Sequence, residues 1–180
     1  FLQNYPGVTT KIAGAVVPSG TDVHSYDRDR LLYRDRRNIV GWWSSPDRGL
    51  HHLLLAWPMI RKAVPDAELH IFYHLDRIIR DAKDYSMGIL ALRGHMLSDL
   101  RGSCTRANGV VVEGVASRIR LREWQKKTKV YAFPFDPVIP TEGFCVAVLE
   151  ALAAGCWVVA RPDDALHELY GPAVDWVEAP

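Results

Sequence analysis

Two glutamates, Glu142 and Glu150, stand eight positions apart in a stretch whose composition is otherwise that of a buried helix. No charged residue lies between them, or between Glu150 and Arg161, so the segment is apolar on nearly every side. A carboxylate in such surroundings is costly unless a partner or ligand offsets its charge. Ala147 and Ala153 share the face of Glu150 and are small enough to leave room for a ligand. The pattern favours a binding helix; the alternative is a surface helix whose Glu150 points into water.

The segments on either side of this helix predict where it lies in a sheet. The β-rich run 129–134 precedes it and the apolar run 156–160 follows it, which gives a strand, loop, helix and strand. In a parallel sheet, the loop and the amino terminus of the helix lie at the carboxyl end of the strand, where ligands of open α/β folds bind. The N–H groups of Glu142 to Cys145 and the helix dipole suit an anion such as a diphosphate. A helix continuing from Glu142 to Glu150 rises about 12 Å, so the two carboxylates would contact separate parts of an extended ligand.

Strands and helices alternate through the rest of the 180-residue chain, which is about the length of one domain. The apolar positions Leu53, Leu54 and Trp57 follow helical spacing, whereas the other apolar runs are short and rich in β-formers. Such alternation predicts an α/β fold with a Rossmann-like, doubly wound parallel sheet. The further predicted strands are 12–17, 38–43, 68–73 and 109–113, and the further predicted helices are 50–63, 76–101 and 119–127.

Four stretches of the sequence resemble, in the expected order, retaining glycosyltransferases with the GT-B fold, in particular glycosyltransferase family four. The run from Glu142 to Gly155 looks like the motif in which seven residues separate two glutamates. The others are residues 16–22, similar to the family's interdomain linker; 40–50, similar to its first donor-domain strand and loop; and 165–169. The resemblance implies the C-terminal half of a GT-B fold. Residues 12–180 would form the nucleotide-sugar (donor) binding domain, and residues 1–11 the end of a preceding acceptor domain or a linker.

The resemblance also implies roles for individual residues. Glu142 would bind hydroxyls of the donor sugar, and Arg48 would neutralise the diphosphate as it leaves; these two are the predicted catalytic residues. Glu150 would accept hydrogen bonds from the ribose. The base would dock on the loop that contains Val115, through backbone groups. The remaining predicted contacts are with the diphosphate, from the backbone of Gly143, Phe144 and Cys145 and from the hydroxyls of Ser44 and Ser45, for which a turn-capping role is equally compatible.

One departure from the family pattern leaves alternatives open. The family commonly has two basic residues for the diphosphate; here Arg48 occupies one position, while the other falls near Trp43. The loss of a cation keeps open a non-catalytic nucleotide-binding or interaction module with the same fold. A different nucleotide or sugar-phosphate enzyme is a second rival, although the chain has no Gly-x-Gly-x-x-Gly fingerprint.

The predicted activity is transfer of a sugar, of the hexosyltransferase type, from a nucleotide-diphosphate sugar to an unknown glycan, lipid or small-molecule acceptor. We expect this chain to be only part of the active enzyme, with an N-terminal acceptor-binding domain in cis. The net charge of +1 gives no electrostatic case for nucleic acid. The basic run 118–127 is best explained as a solvated helix face, with a membrane-surface role as the secondary alternative. The sequence contains no transmembrane run and no signal peptide.

Three cysteines at wide spacing predict reduced thiols and a cytoplasmic protein, with peripheral membrane association as the alternative. A nucleophilic role for Cys145 would need a histidine base, which the sequence does not place beside it. His70 and His74 fall in a strand-like segment, where they would be about 13 Å apart, too far for one metal ion. The sequence therefore predicts no metal and no cofactor, with the nucleotide sugar as substrate.

Overall fold

A computed structural model describes residues 19–81, 88–135 and 142–177. Its central element is a sheet of six parallel strands in the order β3-β2-β1-β4-β5-β6. The strands are β1 (Ile39–Trp42), β2 (Glu68–Ile71), β3 (Val110–Val112), β4 (Val130–Phe133), β5 (Trp157–Ala160) and β6 (Asp175–Trp176). The predicted Rossmann-like α/β architecture is confirmed.

Helices connect the strands and cover the sheet. They are α1 (His24–Asp27), α2 (Leu50–Ala63), α3 (Leu75–Asp81), α4 (Ile89–Leu100), α5 (Arg118–Lys127), α6 (Val146–Ala153) and α7 (Leu166–Tyr170). Short 3₁₀ turns are found at 33–35, 46–48, 101–103 and 171–173. Among the described residues, no helix is both long and apolar enough to cross a bilayer.

The centre of the sheet is buried on both faces, as parallel sheets require. All four residues of β1 are buried, and Tyr131 and Phe133 of β4 are fully enclosed on one face. Helix α2 packs through Leu50, Leu53, Leu54 and Trp57, the spacing that places one apolar stripe against a sheet. The apolar runs that predicted these elements are therefore the residues that form the core.

Most predicted elements are present within a residue or two, and α2 has the predicted bounds. The predicted helix over 76–101 is two helices, α3 and α4, in the described residues. Strand β6 was not predicted. The predicted strand 12–17 and the boundary at residue 11 lie outside the described residues.

One boundary was predicted wrongly, and it lies next to the site. We expected helix from Glu142 onward, but α6 begins at Val146 and Glu142 lies in the preceding loop. Cys145 immediately before the helix has φ 53°, the left-handed region, so the chain turns sharply there instead of continuing as helix. The two glutamates are therefore not joined by continuous helix.

The strand order places one crevice at the centre of the sheet. Strand β1 pairs with β2 on one side and with β4 on the other, so the direction of winding reverses between β1 and β4. The loops after β1 and β4 diverge at this point, where open α/β sheets bind their ligands. These two loops carry Arg48 and Glu142.

Candidate functional site

Glu142 and Arg48 meet at this crevice although they are far apart in sequence. The Arg48 Nη1 atom lies 2.5 Å from Oε2 of Glu142. The other oxygen, Oε1, accepts hydrogen bonds from the backbone N–H of Cys145 at 2.6 Å and of Phe144 at 3.3 Å. The Glu142 side chain is 12% exposed and that of Arg48 32%. The site thus holds one anion, the Glu142 carboxylate, between a guanidinium and two amides.

Two side chains from the end of the chain fix the loop that carries Glu142. The Tyr170 hydroxyl in α7 donates to the carbonyl of Phe144 at 2.6 Å and is 3.3 Å from that of Cys145. The carboxylate of Asp164 accepts a hydrogen bond from the Glu142 N–H at 3.0 Å. The Phe144 carbonyl belongs to the same planar peptide group as the Cys145 N–H, so the bond to Tyr170 directs that N–H toward the carboxylate. The loop is therefore fixed by contacts within the protein.

The loop after β1 positions Arg48. The Trp42 indole donates to the Ser44 carbonyl at 2.8 Å, and the Ser45 hydroxyl bonds to the carboxylate of Asp47. Ser45 is thus engaged with a side chain of its own turn and makes no capping hydrogen bond to the backbone there. Gly49 ends the turn at φ 113°, and a Cβ there would stand 2.2 Å from the Pro134 carbonyl oxygen. The close approach of the two loops therefore depends on this glycine.

Trp43 lies near the sequence position where the family commonly has its second basic residue, and it packs against β4 and α6. Its ring stacks on Tyr131 with centroids 4.3 Å apart, and its indole N–H donates to the Ala147 carbonyl at 3.1 Å. The ring fits because residue 41 is glycine; a Cβ there would lie 2.2 Å from a Trp43 ring carbon. Trp43 is only 8% exposed, so it is a packing residue that ties β1 to α6.

Glu150 is paired with side chains of α5. Gln125 donates to its Oε2 at 3.1 Å, Arg118 lies 3.3 Å from its Oε1, and the side chain is 14% exposed. Tyr26 in turn donates to Gln125 at 2.9 Å. The alternative in which Glu150 simply points into water is therefore wrong. Tyr26, Arg118, Gln125 and Glu150 line part of a cavity of about 220 Å³.

The loop after β3, the predicted place for a base, is open at Val115 and braced at Glu113. Val115 is 62% exposed. The Glu113 carboxylate lies 3.0 Å from His70 Nδ1 and accepts a hydrogen bond from Arg120 at 2.9 Å. His70 is buried, and its ring packs on Trp124 with centroids 4.3 Å apart. The start of this loop is therefore fixed by charged contacts, while its tip faces solvent.

Cys145 is unsuited to act as a nucleophile. Burial raises the pKa of its thiol from 9.0 to about 12, with a further rise from the Glu142 charge. The thiol therefore stays protonated at neutral pH, and the thiolate is the reactive form. What Cys145 and its neighbour Phe144 offer the site is their backbone N–H groups. Gly143, the third predicted contact of this loop, is exposed, and a Cβ added to it would meet no atom within 4 Å in the part of the chain that the structure describes.

Residues 38–177 match the family model described as glycosyl transferases group 1. The chain belongs to this family. No curated protein matches this glycosyltransferase chain in sequence.

Solved structures agree with the family in fold. The C-terminal domain of the group 1 glycosyl transferase LpcC from Francisella tularensis is 16% identical with a TM-score of 0.51, over 79% of this chain and 71% of that one. Anabaena HepE, solved with UDP and glucose, is 18% identical with a TM-score of 0.51, over 83% of this chain and 38% of that one. Sucrose-phosphate synthase from Thermosynechococcus elongatus is 18% identical with a TM-score of 0.54, over 84% of this chain and 35% of that one. The glycosyltransferase chain thus has the fold of a GT-B C-terminal domain. It spans about a third of the length of HepE and of the sucrose-phosphate synthase.

Several residues that shape this glycosyltransferase site were not predicted. Asp164 and Tyr170 follow β5, and their contacts with the loop at 142–145 depend on how α7 packs. Gln125 and Arg118 are on a helix that we interpreted only as a basic surface. For Asp164 the sequence held a signal: the acidic pair Asp163 and Asp164 follows the carboxyl end of a predicted strand.

Proposed function

We propose that this chain is the nucleotide-sugar binding domain of a retaining glycosyltransferase. The observation that carries the proposal is that Arg48 and the amides of Phe144 and Cys145 bind the two oxygens of one carboxylate, at the point where the order of the strands reverses. A guanidinium and two converging N–H groups form an anion site of the kind that binds phosphate. The Glu142 carboxylate fills that site here and stands where a phosphate oxygen would bind.

The same groups suit the chemistry of sugar transfer. When the bond between the sugar and the diphosphate breaks, negative charge grows on the departing phosphate oxygen. The Arg48 guanidinium can follow that change, while the Cys145 N–H, whose peptide group Tyr170 holds through the Phe144 carbonyl, needs no reorganisation. Gly143 leaves open space beside these amides, so a bulky diphosphate can approach the backbone. Glu142, freed from the amides, would accept hydrogen bonds from sugar hydroxyls.

The nucleoside half of the donor is assigned to Glu150 and the loop at Val115. Glu150 already accepts one hydrogen bond from Gln125, a neutral donor that ribose hydroxyls can replace. Arg118 is 82% exposed, so its ion pair with Glu150 contributes little and is readily exchanged. HepE was solved with UDP and glucose, which supports a nucleoside diphosphate as the ligand class. The sugar would be a hexose and the acceptor would bind a separate N-terminal domain in cis, in a cytoplasmic enzyme.

A second candidate function is a nucleotide-binding module without transferase activity. Trp43 favours it, because this buried ring replaces a cation and leaves Arg48 to neutralise the diphosphate. Such a module would bind a nucleoside diphosphate but would not support sugar transfer when joined to an acceptor domain.

Calorimetric titration of the 180-residue chain with UDP, GDP and ADP tests the binding proposal. Arg48→Ala removes the cation and Glu150→Ala the ribose contact, and each should weaken binding at least about tenfold, as expected for hydrogen bonds to charged groups. Arg77→Ala and Asp99→Ala on α3 and α4 are matched controls, exposed and away from the crevice, and should leave affinity unchanged. Absence of binding by the wild-type chain and the variants alike, or equal affinity of all variants, would contradict the proposal.

A further inference from the structure

The Glu142 carboxylate occupies the groups that the proposed function assigns to the diphosphate. One oxygen faces Arg48 at 2.5 Å, and the other takes the N–H groups of Cys145 and Phe144. The side chain is 12% exposed, so most of its solvation comes from these three partners rather than from water. An internal anion thus sits where the ligand's anion is expected.

The backbone of this loop is fixed independently of the carboxylate. Asp164 holds the N–H of Glu142, and Tyr170 holds the carbonyl of Phe144. Rotation of the Glu142 side chain alone would therefore vacate Arg48 and both amides without remodelling the loop. The geometry is that of a side chain exchangeable for a ligand.

We infer that Glu142 is an internal competitor for the diphosphate and makes the site discriminate between an intact nucleotide sugar and a free nucleoside diphosphate. This rests on the proposed function. Either ligand must displace the carboxylate from Arg48 and the two amides, and a displaced carboxylate without partners is costly beside a diphosphate of like charge. A sugar on the diphosphate supplies hydroxyl donors to the displaced carboxylate. A free nucleoside diphosphate supplies none.

The consequence is a preference for the nucleotide sugar that the charges of the two ligands alone do not predict. The free diphosphate carries more charge and would bind Arg48 more strongly if the site were empty. With Glu142 present, its binding is reduced by competition, while that of the nucleotide sugar is restored by the hydroxyl contacts. The site therefore takes up donor and releases the spent nucleotide with the help of one side chain.

The test compares the affinities of wild type, Glu142→Ala and Glu142→Gln for paired ligands: UDP and UDP-glucose, GDP and GDP-mannose, ADP and ADP-glucose. For the pair that binds, Glu142→Ala should bind the free nucleoside diphosphate about fivefold or more tightly than wild type, and the preference for the sugar form should fall by at least that factor. Glu142→Gln keeps an oxygen for the amides without the charge, so its affinities should lie between those of wild type and Glu142→Ala. Asp99→Ala is the control for removal of a carboxylate elsewhere.

The outcomes separate this inference from the proposed function. If wild type binds a nucleotide and Glu142→Ala binds the free diphosphate equally or more weakly, Glu142 is no competitor, while the donor-site proposal stands. If neither wild type nor any Glu142 variant binds a nucleotide, both are overturned. If the Glu142 variants bind a nucleotide and wild type does not, Glu142 blocks the site completely, which supports its role as a competitor. Thermal unfolding of each variant checks that the fold is retained.

Discussion

At Gly143 nothing in the described part of the chain requires the lack of a side chain. Its φ is not in the left-handed region, and a Cβ there would meet no atom of the described residues within 4 Å, its chain neighbours aside. Gly143→Ala should therefore leave the melting temperature nearly unchanged, but it should weaken nucleotide binding by about tenfold, because a methyl group would stand beside the amides proposed to hold the diphosphate. Thermal unfolding and calorimetric titration measure the two effects.

Gly102→Ala is the matched control, since a Cβ there also meets no atom of the described residues within 4 Å and Gly102 lies before the start of β3, at the edge of the sheet opposite the crevice. It should change neither quantity. A Gly143→Ala protein that is markedly less stable would indicate that this glycine serves the fold. Unaltered nucleotide affinity in a stable variant would place the diphosphate elsewhere.

Residue types predicted that Glu150 needs a partner, but they did not predict which residues are its partners. A carboxylate at position 150 within an apolar helix had to be paired, and that could be inferred from the cost of burying charge. Its partners Gln125 and Arg118 could not, because they come from α5, and only the packing of two helices brings them together. The same holds for Tyr170 and the Phe144 carbonyl.

At the scale of elements, the turn between β1 and α2 must pass close to the end of β4 for Arg48 to reach Glu142. Gly49 allows this with φ 113° and with the Pro134 carbonyl oxygen 2.2 Å from where a Cβ would be. Gly49→Ala should cost about 1–3 kcal/mol of unfolding free energy, through strain at positive φ and through the clash with rigid backbone. It should also weaken nucleotide binding, because Arg48 moves with the turn.

Urea denaturation gives the free energy, and Gly102→Ala again serves as the control. The expected contrast is that alanine at residue 49 lowers both stability and affinity, whereas alanine at 143 lowers affinity alone. Wild-type stability of Gly49→Ala would mean that the loops after β1 and β4 are not in contact.

Element boundaries were predictable where hydrophobic spacing sets them and not where a local contact does. Helix α2 follows its apolar stripe through Trp57 and has its predicted ends. Helix α6 starts four residues later than expected because Cys145 adopts a left-handed conformation and the preceding loop is held by Asp164 at the Glu142 N–H and by Tyr170 at the Phe144 carbonyl. No spacing of side chains in the sequence encodes that hydrogen bonding.

At the scale of the whole molecule, the order of strands could be inferred only through the family resemblance. Alternating strands and helices predict a parallel sheet, and that part is general. The crevice forms between the loops after β1 and β4 because these two strands lie side by side. That arrangement depends on long-range pairing such as Val40 with Val130. Neither composition nor local pattern specifies such pairs.

The buried thiols make the stability of the whole domain sensitive to alkaline pH. Cys145 and Cys156 are buried free cysteines, and burial raises the pKa of each thiol from 9.0 to about 12. Above about pH 9 the unfolded chain releases these protons while the folded chain keeps them until about pH 12. The folded state then binds more protons, so the free energy of unfolding is fully present below pH 9 and falls as pH rises toward 12, by at most about 1.4 kcal/mol per pH unit for each thiol.

Urea denaturation under reducing conditions at several values between pH 7.5 and 11 measures this slope. Cys156→Ala removes one of the two thiols and should flatten the slope between pH 9 and 11, whatever its effect on stability at pH 7.5. Cys104→Ala is the cysteine control. Cys104 precedes β3, at the other end of the strand order, and burial raises the pKa of its thiol without the large shift of the other two. Equal slopes for wild type and Cys156→Ala would mean that water reaches this thiol and that the core between α5 and β5 is looser than its contacts indicate.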